Sequence, residues 1–225
     1  MTDTIIDLVR HGKPDGAAAL YGRTDIALSS LGWQQLQQTC QVLAPSLVLT
    51  SPLRRCADFA TDWAQQRQLP CRRVPLLQEF DFGEWDGIPF DTLLGEYRAD
   101  DPGWQLLEAF GRTPATHTPP GSESLQDFHD RVVMGWQQLL AECAGEQVLL
   151  VCHAGVIRMI LAHLLPVDWR DGRWFSALNI DYGSRTRIRM GAWPGATAVV
   201  ECIGVTSMTG AEAGHTRADK DYERE

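Results

Sequence analysis

A chain of 225 residues with 44% hydrophobic content can bury one sizeable core, and 29 acidic against 20 basic side chains leave a net charge of −9. That balance argues against a nucleic-acid binder or a membrane-surface protein. No window approaches the ~18 apolar residues of a membrane span, and the N-terminus lacks the charged-then-apolar pattern of a secretion signal. A cytoplasmic protein without nucleic-acid or membrane partners is therefore expected. The six cysteines show no C-x-x-C spacing and lie mostly in apolar segments, which reads as reduced core thiols.

In chain order, Ile5-Ile6-Asp7-Leu8-Val9 predicts a strand that starts almost at the N-terminus and runs out into Arg10-His11-Gly12. A polar, glycine-bearing loop follows to Asp25. Ser29 or Ser30 then caps a helix through Trp33, Leu36 and Val42, closed by Pro45. Leu47-Val48-Leu49 reads as a short buried strand, Ser51-Pro52 as the opening of a second helix, and the segment around Val74 as another strand. Residues 86–122 are proline-rich, with short helical patches around Leu93 and Leu106, and read as an insertion over the sheet edge.

Ser124 begins a long amphipathic helix with Leu125, Phe128, Val132, Trp136 and Leu139 on one face. Val148 to Cys152 is apolar on both faces, as in a central parallel strand, and Gly155 to Leu165 is helical. In that helix His163 falls on the apolar face and reads as a core histidine. Leu178–Tyr182 and Thr186–Met190 predict a hairpin, joined by a last strand near Val199–Ile203. Residues 1–205 thus form one domain, with 206–225 a polar tail expected to be disordered.

The alternation predicts an α/β fold, a three-layer α/β/α sandwich with a mostly parallel central sheet and a small helical insertion over the candidate site. In such sheets ligands bind beyond the carboxyl ends of the strands. Two strands here end in histidine-bearing turns, Arg10-His11-Gly12 and Cys152-His153-Ala154-Gly155. If both strands are central, the imidazoles meet at that edge, and the helix after His153 points free N–H groups at an anion there. Arginine offers a planar fork of donors suited to phosphate, and a neutral imidazole beside it can attack phosphorus.

These residues resemble the histidine phosphatase superfamily, also called phosphoglycerate-mutase-like, from Asp7 to about Met190. Arg10-His11-Gly12 is similar to its opening motif, Tyr21-Gly22-Arg23-Thr24-Asp25 to its phosphate-covering loop, and Thr50-Ser51-Pro52-Leu53-Arg54-Arg55 to its arginine segment. Leu77 to Gly87 matches its acidic motif, and His153 its second histidine. The chain departs from the family in Lys13-Pro14-Asp15 after the first motif and in Gly121-Ser122-Glu123-Ser124 for the usual Gly-Gly-Glu-Ser.

The resemblance implies a phosphoric monoester hydrolase with a phosphohistidine at His11 and a proton donor at Glu79. It makes Arg10, Arg55 and His153 the groups that stabilise the phosphate. Gly12, Tyr21, Gly22, Ala154 and Gly155 are implied as substrate-binding, and no metal or cofactor is implied. Among its members, α-ribazole phosphatases of cobalamin lower-ligand assembly are the most similar, so a small nucleotide-like phosphate such as α-ribazole 5′-phosphate is expected. A phosphoglycerate mutase, a broad-specificity sugar-phosphate phosphatase and a non-catalytic phosphate-binding regulator are the alternatives. A homodimer stays open.

Overall fold

The computed structural model describes residues 2–95, 101–193 and 195–206, so the expected tail, Thr206 apart, lies outside the described residues. The elements run β1 (Thr4–Arg10), α1 (Ser30–Cys40), β2 (Leu47–Thr50), α2 (Arg54–Gln66), β3 (Cys71–Arg73), α3 (Phe90–Gly95), α4 (Pro102–Arg112), α5 (Leu125–Glu142), β4 (Gln147–Cys152), α6 (Ala154–Leu164), α7 (Gly172–Ala177), β5 (Arg185–Met190) and β6 (Ala198–Val205). The sheet order is β3-β2-β4-β1-β5-β6. β1, β2, β3 and β4 pair in parallel, whereas β5 is antiparallel to both β1 and β6.

Alternate residues of the two central strands feed two separate cores, as the period-2 geometry of a strand requires. Ile6 and Leu8 of β1, with Val148, Leu150 and Cys152 of β4, pack under α5 and α6 beside Phe128, Trp136 and Ile160. Val9, Leu149 and Val151 pack on the other face under α1 and α2, with Leu36, Phe59 and Trp63. Helices on both faces give the expected three layers. Burying an aromatic or branched side chain of this kind stabilises the fold by roughly 1.5–3 kcal/mol.

Four local expectations change. Leu178–Tyr182 is irregular, and β5 forms its hairpin with β6 instead. The third strand ends at Arg73, and Pro75 opens a single 3₁₀ turn over Pro75–Leu77. The second helix begins at Arg54 with no side-chain cap, because Leu53 occupies the N-cap position and has no acceptor to offer; Ser51 Oγ accepts from Leu53 N–H one step earlier, at 3.4 Å. His163 is exposed, since the helix turns it away from the core. The other caps are as expected: Ser29 Oγ accepts from Gly32 N–H, and Ser124 Oγ from Asp127 N–H. All six cysteines are free, four of them buried.

Candidate active site

The parallel register of β1 and β4 pairs Arg10 with Cys152, so the residue after each strand emerges at the same level. The backbone N–H of His11 donates to Cys152 C=O at 2.9 Å, which extends the pairing one step beyond the strand. The His11 and His153 rings therefore meet, with centroids 5.2 Å apart and nearly edge to face.

His11 is buried, and its Nδ1 lies 2.8 Å from Gly12 C=O. A carbonyl only accepts, so Nδ1 carries the proton and Nε2 keeps its lone pair. Burial, then the charges of Arg55 and Arg10, hold the His11 imidazole well below its ordinary range. Burial, then Arg55, does the same to His153. Both rings are thus neutral in the unliganded protein at neutral pH, which makes His11 a competent nucleophile and His153 a dipole rather than a cation. The Nε2 of His153 is 2.7 Å from Ser51 Oγ, which sets the ring's orientation.

Arg10 stacks over Tyr182, 3.9 Å from guanidinium carbon to ring centroid, and donates through Nη1 to Ile180 C=O at 2.6 Å. Its Nε is buried without a partner among the described residues. Arg55 is fully buried and donates to the carbonyls of Tyr21, Gly22 and Thr24 at 2.7–2.9 Å. It ties down the loop over residues 21–24, and its Nε is without a partner among the described residues. Its charge still reaches both histidines.

Glu79 follows the 3₁₀ turn and faces the start of α6. Its carboxylate accepts from Gly155 N–H and from Phe80 N–H, each at 3.1 Å. One of the N–H groups expected to meet an anion at this helix start, that of Gly155, thus meets Glu79 first. A Cβ on residue 155 would run into that carboxylate and displace it, so the absence of a side chain at Gly155 is what lets Glu79 sit on this N–H.

Arg131 of α5 holds Glu79 from behind, and no sequence pattern pointed to it. Its five donors go to Glu123 Oε1 and Oε2 and to the carbonyls of Leu76, Gln78 and Glu79 at 2.6–2.9 Å. A guanidinium has five N–H donors, so Arg131 has none left for a ligand. Asp86 was also unforeseen: its carboxylate accepts from the N–H groups of Arg23 and Thr24 and fixes the loop from the other side. Partners this far apart in sequence leave no periodic signal.

Arg10, His11, Tyr21, Glu79, Ala154 and Gly155 line one cavity of about 310 Å³. Arg55 and His153 stand behind its wall. Gly12 and Gly22 are also absent from the lining. Gly12 is pressed against the backbone of Gly32, and Gly22 against Phe80 C=O, so both serve close backbone packing. Arg158 lines the cavity and donates through Nη2 to Leu178 C=O at 2.7 Å. Arg54 is exposed and pairs with Asp58 one helical turn on. Among the described residues no group of three or more His, Cys, Asp or Glu side chains is placed to hold a metal ion, and no helix is long and apolar enough to cross a membrane.

A buried histidine with a free nitrogen, at a parallel strand end beside an arginine and a second histidine, matches one family of enzymes. The model of the histidine phosphatase superfamily (branch 1) matches residues 6–199, and this chain belongs to that superfamily. It is 33% identical over 175 residues to glucosyl-3-phosphoglycerate phosphatase of Mycolicibacterium vanbaalenii, covering 72% of this chain and 75% of the relative. It is 30% identical over 167 residues to adenosylcobalamin/alpha-ribazole phosphatase of Escherichia coli, covering 70% and 77%. It spans about half, 49%, of longer mycobacterial relatives that are 31% identical over 198 residues. The structure of Bacillus stearothermophilus YhfR shares the fold at 22% identity, with a TM-score of 0.79 over 91% of this chain and 98% of that one.

Proposed function

We propose that this protein is a phosphomonoesterase working through a phosphohistidine at His11. The observation that carries the reading is the 2.8 Å contact between His11 Nδ1 and Gly12 C=O: it assigns the proton to Nδ1 and leaves the Nε2 lone pair free, on a side chain that lines the cavity with Arg10. Nε2 attacks phosphorus in line, the ester P–O bond breaks, and Glu79, which enters this step as the protonated carboxylic acid, delivers its proton to the departing alkoxide. The resulting Glu79 carboxylate takes a proton from water, which attacks phosphorus. The P–N bond breaks, releasing inorganic phosphate and restoring His11 and Glu79.

Arg10 neutralises charge on the transferring group directly. Arg55 acts through the loop it holds and through its field, and His153 as an oriented dipole. The positive charge assigned to this end is thus carried by guanidinium groups, with both imidazoles neutral before substrate arrives. These residues need no metal to perform the two steps.

The leading substrate is a small nucleotide-like monoester such as α-ribazole 5′-phosphate, supported by the similarity to the Escherichia coli enzyme. A sugar-type phosphate is the second reading, since the glucosyl-3-phosphoglycerate phosphatase of Mycolicibacterium vanbaalenii is somewhat more similar, at 33% against 30% identity. The test is a screen of phosphate release across α-ribazole 5′-phosphate, nucleotides, sugar phosphates and phosphoglycerates, with acid-labile phosphate trapped on His11. Release from α-ribazole phosphate well ahead of the rest is expected. A mutase product from phosphoglycerate, or no labelled histidine, overturns the reading.

A further inference from the structure

The chemistry accounts for one end of the cavity and leaves its outer wall without an assigned role. Phe82, Phe110, Pro114 and Phe175 line the cavity there, whereas Tyr182 belongs to the reacting end, in contact with Arg10 and His11. Phe110 comes from α4 and Phe175 from α7, two short helices that reach over the sheet edge from opposite sides of α5 in the sequence. They are locked together without side chains between them: a Cβ on Gly172 would collide with the backbone carbonyls of Gly111 and Arg112. Phe110 is held further by Phe80, stacked at 6.3 Å, and by Trp85, edge to face at 5.8 Å.

The charged residues lining the cavity, among those described, are Arg10, Glu79 and Arg158, with the neutral His11 among them. Arg158 lies against α7: its backbone C=O accepts from Trp174 Nε1 at 3.2 Å, its Nη2 donates to Leu178 C=O at 2.7 Å, and its Nε is buried without a partner among the described residues. Apart from Arg158 of α6, the residues that α4 and α7 give this cavity are Phe110, Gly111, Gly172 and Phe175, so the two helices offer aromatic faces and no charged side chain of their own. A polyol seated against these rings would lose hydration without replacement partners. A flat apolar ring loses nothing polar and gains stacking. The cavity's 310 Å³ is at the small end of the ~300–1,000 Å³ typical of ligand sites, so phosphate plus a mono- or bicyclic ring fits its scale.

We propose that Phe110 and Phe175, set by the Gly111–Gly172 contact, are specificity-determining residues that read the alcohol half of the ester and select a flat apolar ring. This rests on the phosphomonoesterase reading and adds the substrate class. The test compares 2-naphthylmethyl phosphate with glycerol 3-phosphate and 3-phosphoglycerate, all alkyl esters whose departure needs the same proton. Calorimetry with naphthylmethylphosphonate and methylphosphonate, which cannot be hydrolysed, runs in parallel.

The wild type is expected to favour the naphthyl ester by roughly 10–100-fold in kcat/KM, the range that one stacked or fully buried apolar group supplies. Phe110→Ala and Phe175→Ala are each expected to compress that ratio about tenfold, mainly through KM, with Phe110→Leu intermediate. Variants that lower all three substrates equally, leaving the ratio untouched, mark the rings as structural and overturn the inference. Turnover without a ring preference overturns it as well. Ring-dependent phosphonate binding without turnover supports it, and overturns the phosphohistidine reading instead.

Discussion

The two ends of the cavity are built by different means. At the reacting end, Arg10, His11 and His153 sit on or just beyond the central parallel strands, backed by both cores. Their positions follow from strand register. The outer end is made by α4 and α7, short helices whose apolar residues are only partly buried and whose spacing depends on one backbone contact. The difference teaches that bond-breaking groups belong to the most rigid part of the fold. Recognition of the leaving group belongs to connections that can change without disturbing the sheet. Glu79 stands between the two. It is a loop residue given the rigidity of the sheet by Arg131 and by the start of α6.

The comparison is broken most directly at His11. His11→Ala is expected to lower phosphate release by at least about 10²-fold, because even one proton-transfer group is worth that much and the covalent step has no substitute. Labelled phosphate should no longer be trapped on the protein. Retention of more than about a hundredth of the activity removes the nucleophile assignment.

Glu79→Gln keeps size and hydrogen bonding and removes the proton. Alkyl phosphates should slow by roughly 10²–10⁴-fold. Phosphohistidine formation from an aryl phosphate, measured by rapid quench, should suffer much less, since a phenolate leaves unaided. Equal slowing of both substrates makes Glu79 a positioning group, and Asp81 becomes the acid to test.

Arg131→Gln probes whether Glu79 borrows its rigidity. About 10–100-fold loss in kcat is expected from a misplaced acid, with little change in KM. In the Glu79→Gln background the same change should cost almost nothing, because the two act as a unit. Additive losses instead show that Arg131 supports only the fold.

A smaller effect sharpens the buried end. Both histidines have folded values well below the 6.5 of a free imidazole. The unfolded chain therefore binds protons that the native state refuses. Stability is expected to be flat above about pH 6.5 and to fall as pH drops below it. Urea midpoints at pH 7.5, 6.5 and 5.5 measure this, and the fall should be shallower in His11→Ala. A midpoint that holds steady down to 5.5 contradicts neutral rings at this site.

Least change of all is expected on chelation, with activity persisting in excess EDTA because Arg10 and Arg55 carry the positive charge. Loss restored by one specific divalent ion transfers the stabilising role to a metal.

Much of this was legible in the sequence for local reasons. Apolar runs with the strand period identified β1 and β4, and serine caps placed the starts of α1 and α5. The histidines at the two strand ends could be brought together because parallel strands share one carboxyl edge. The resemblance supplied Glu79 and Arg55 as candidates. Hairpin pairing failed because Leu178–Tyr182 is as apolar as a strand, yet the chain there serves Arg10 and Arg158 with its carbonyls. What only the tertiary structure decided is where donors are spent. Residue types are identical in Arg10, Arg55, Arg131 and Arg158, but carbonyls and carboxylates from distant segments saturate Arg131 and leave a nitrogen of each of the others without a partner. The neutral state of the two histidines, the seat of Glu79 on Gly155 N–H and the aromatic outer wall are of the same kind. Each depends on burial and on contacts between residues far apart in the chain, which no local pattern encodes.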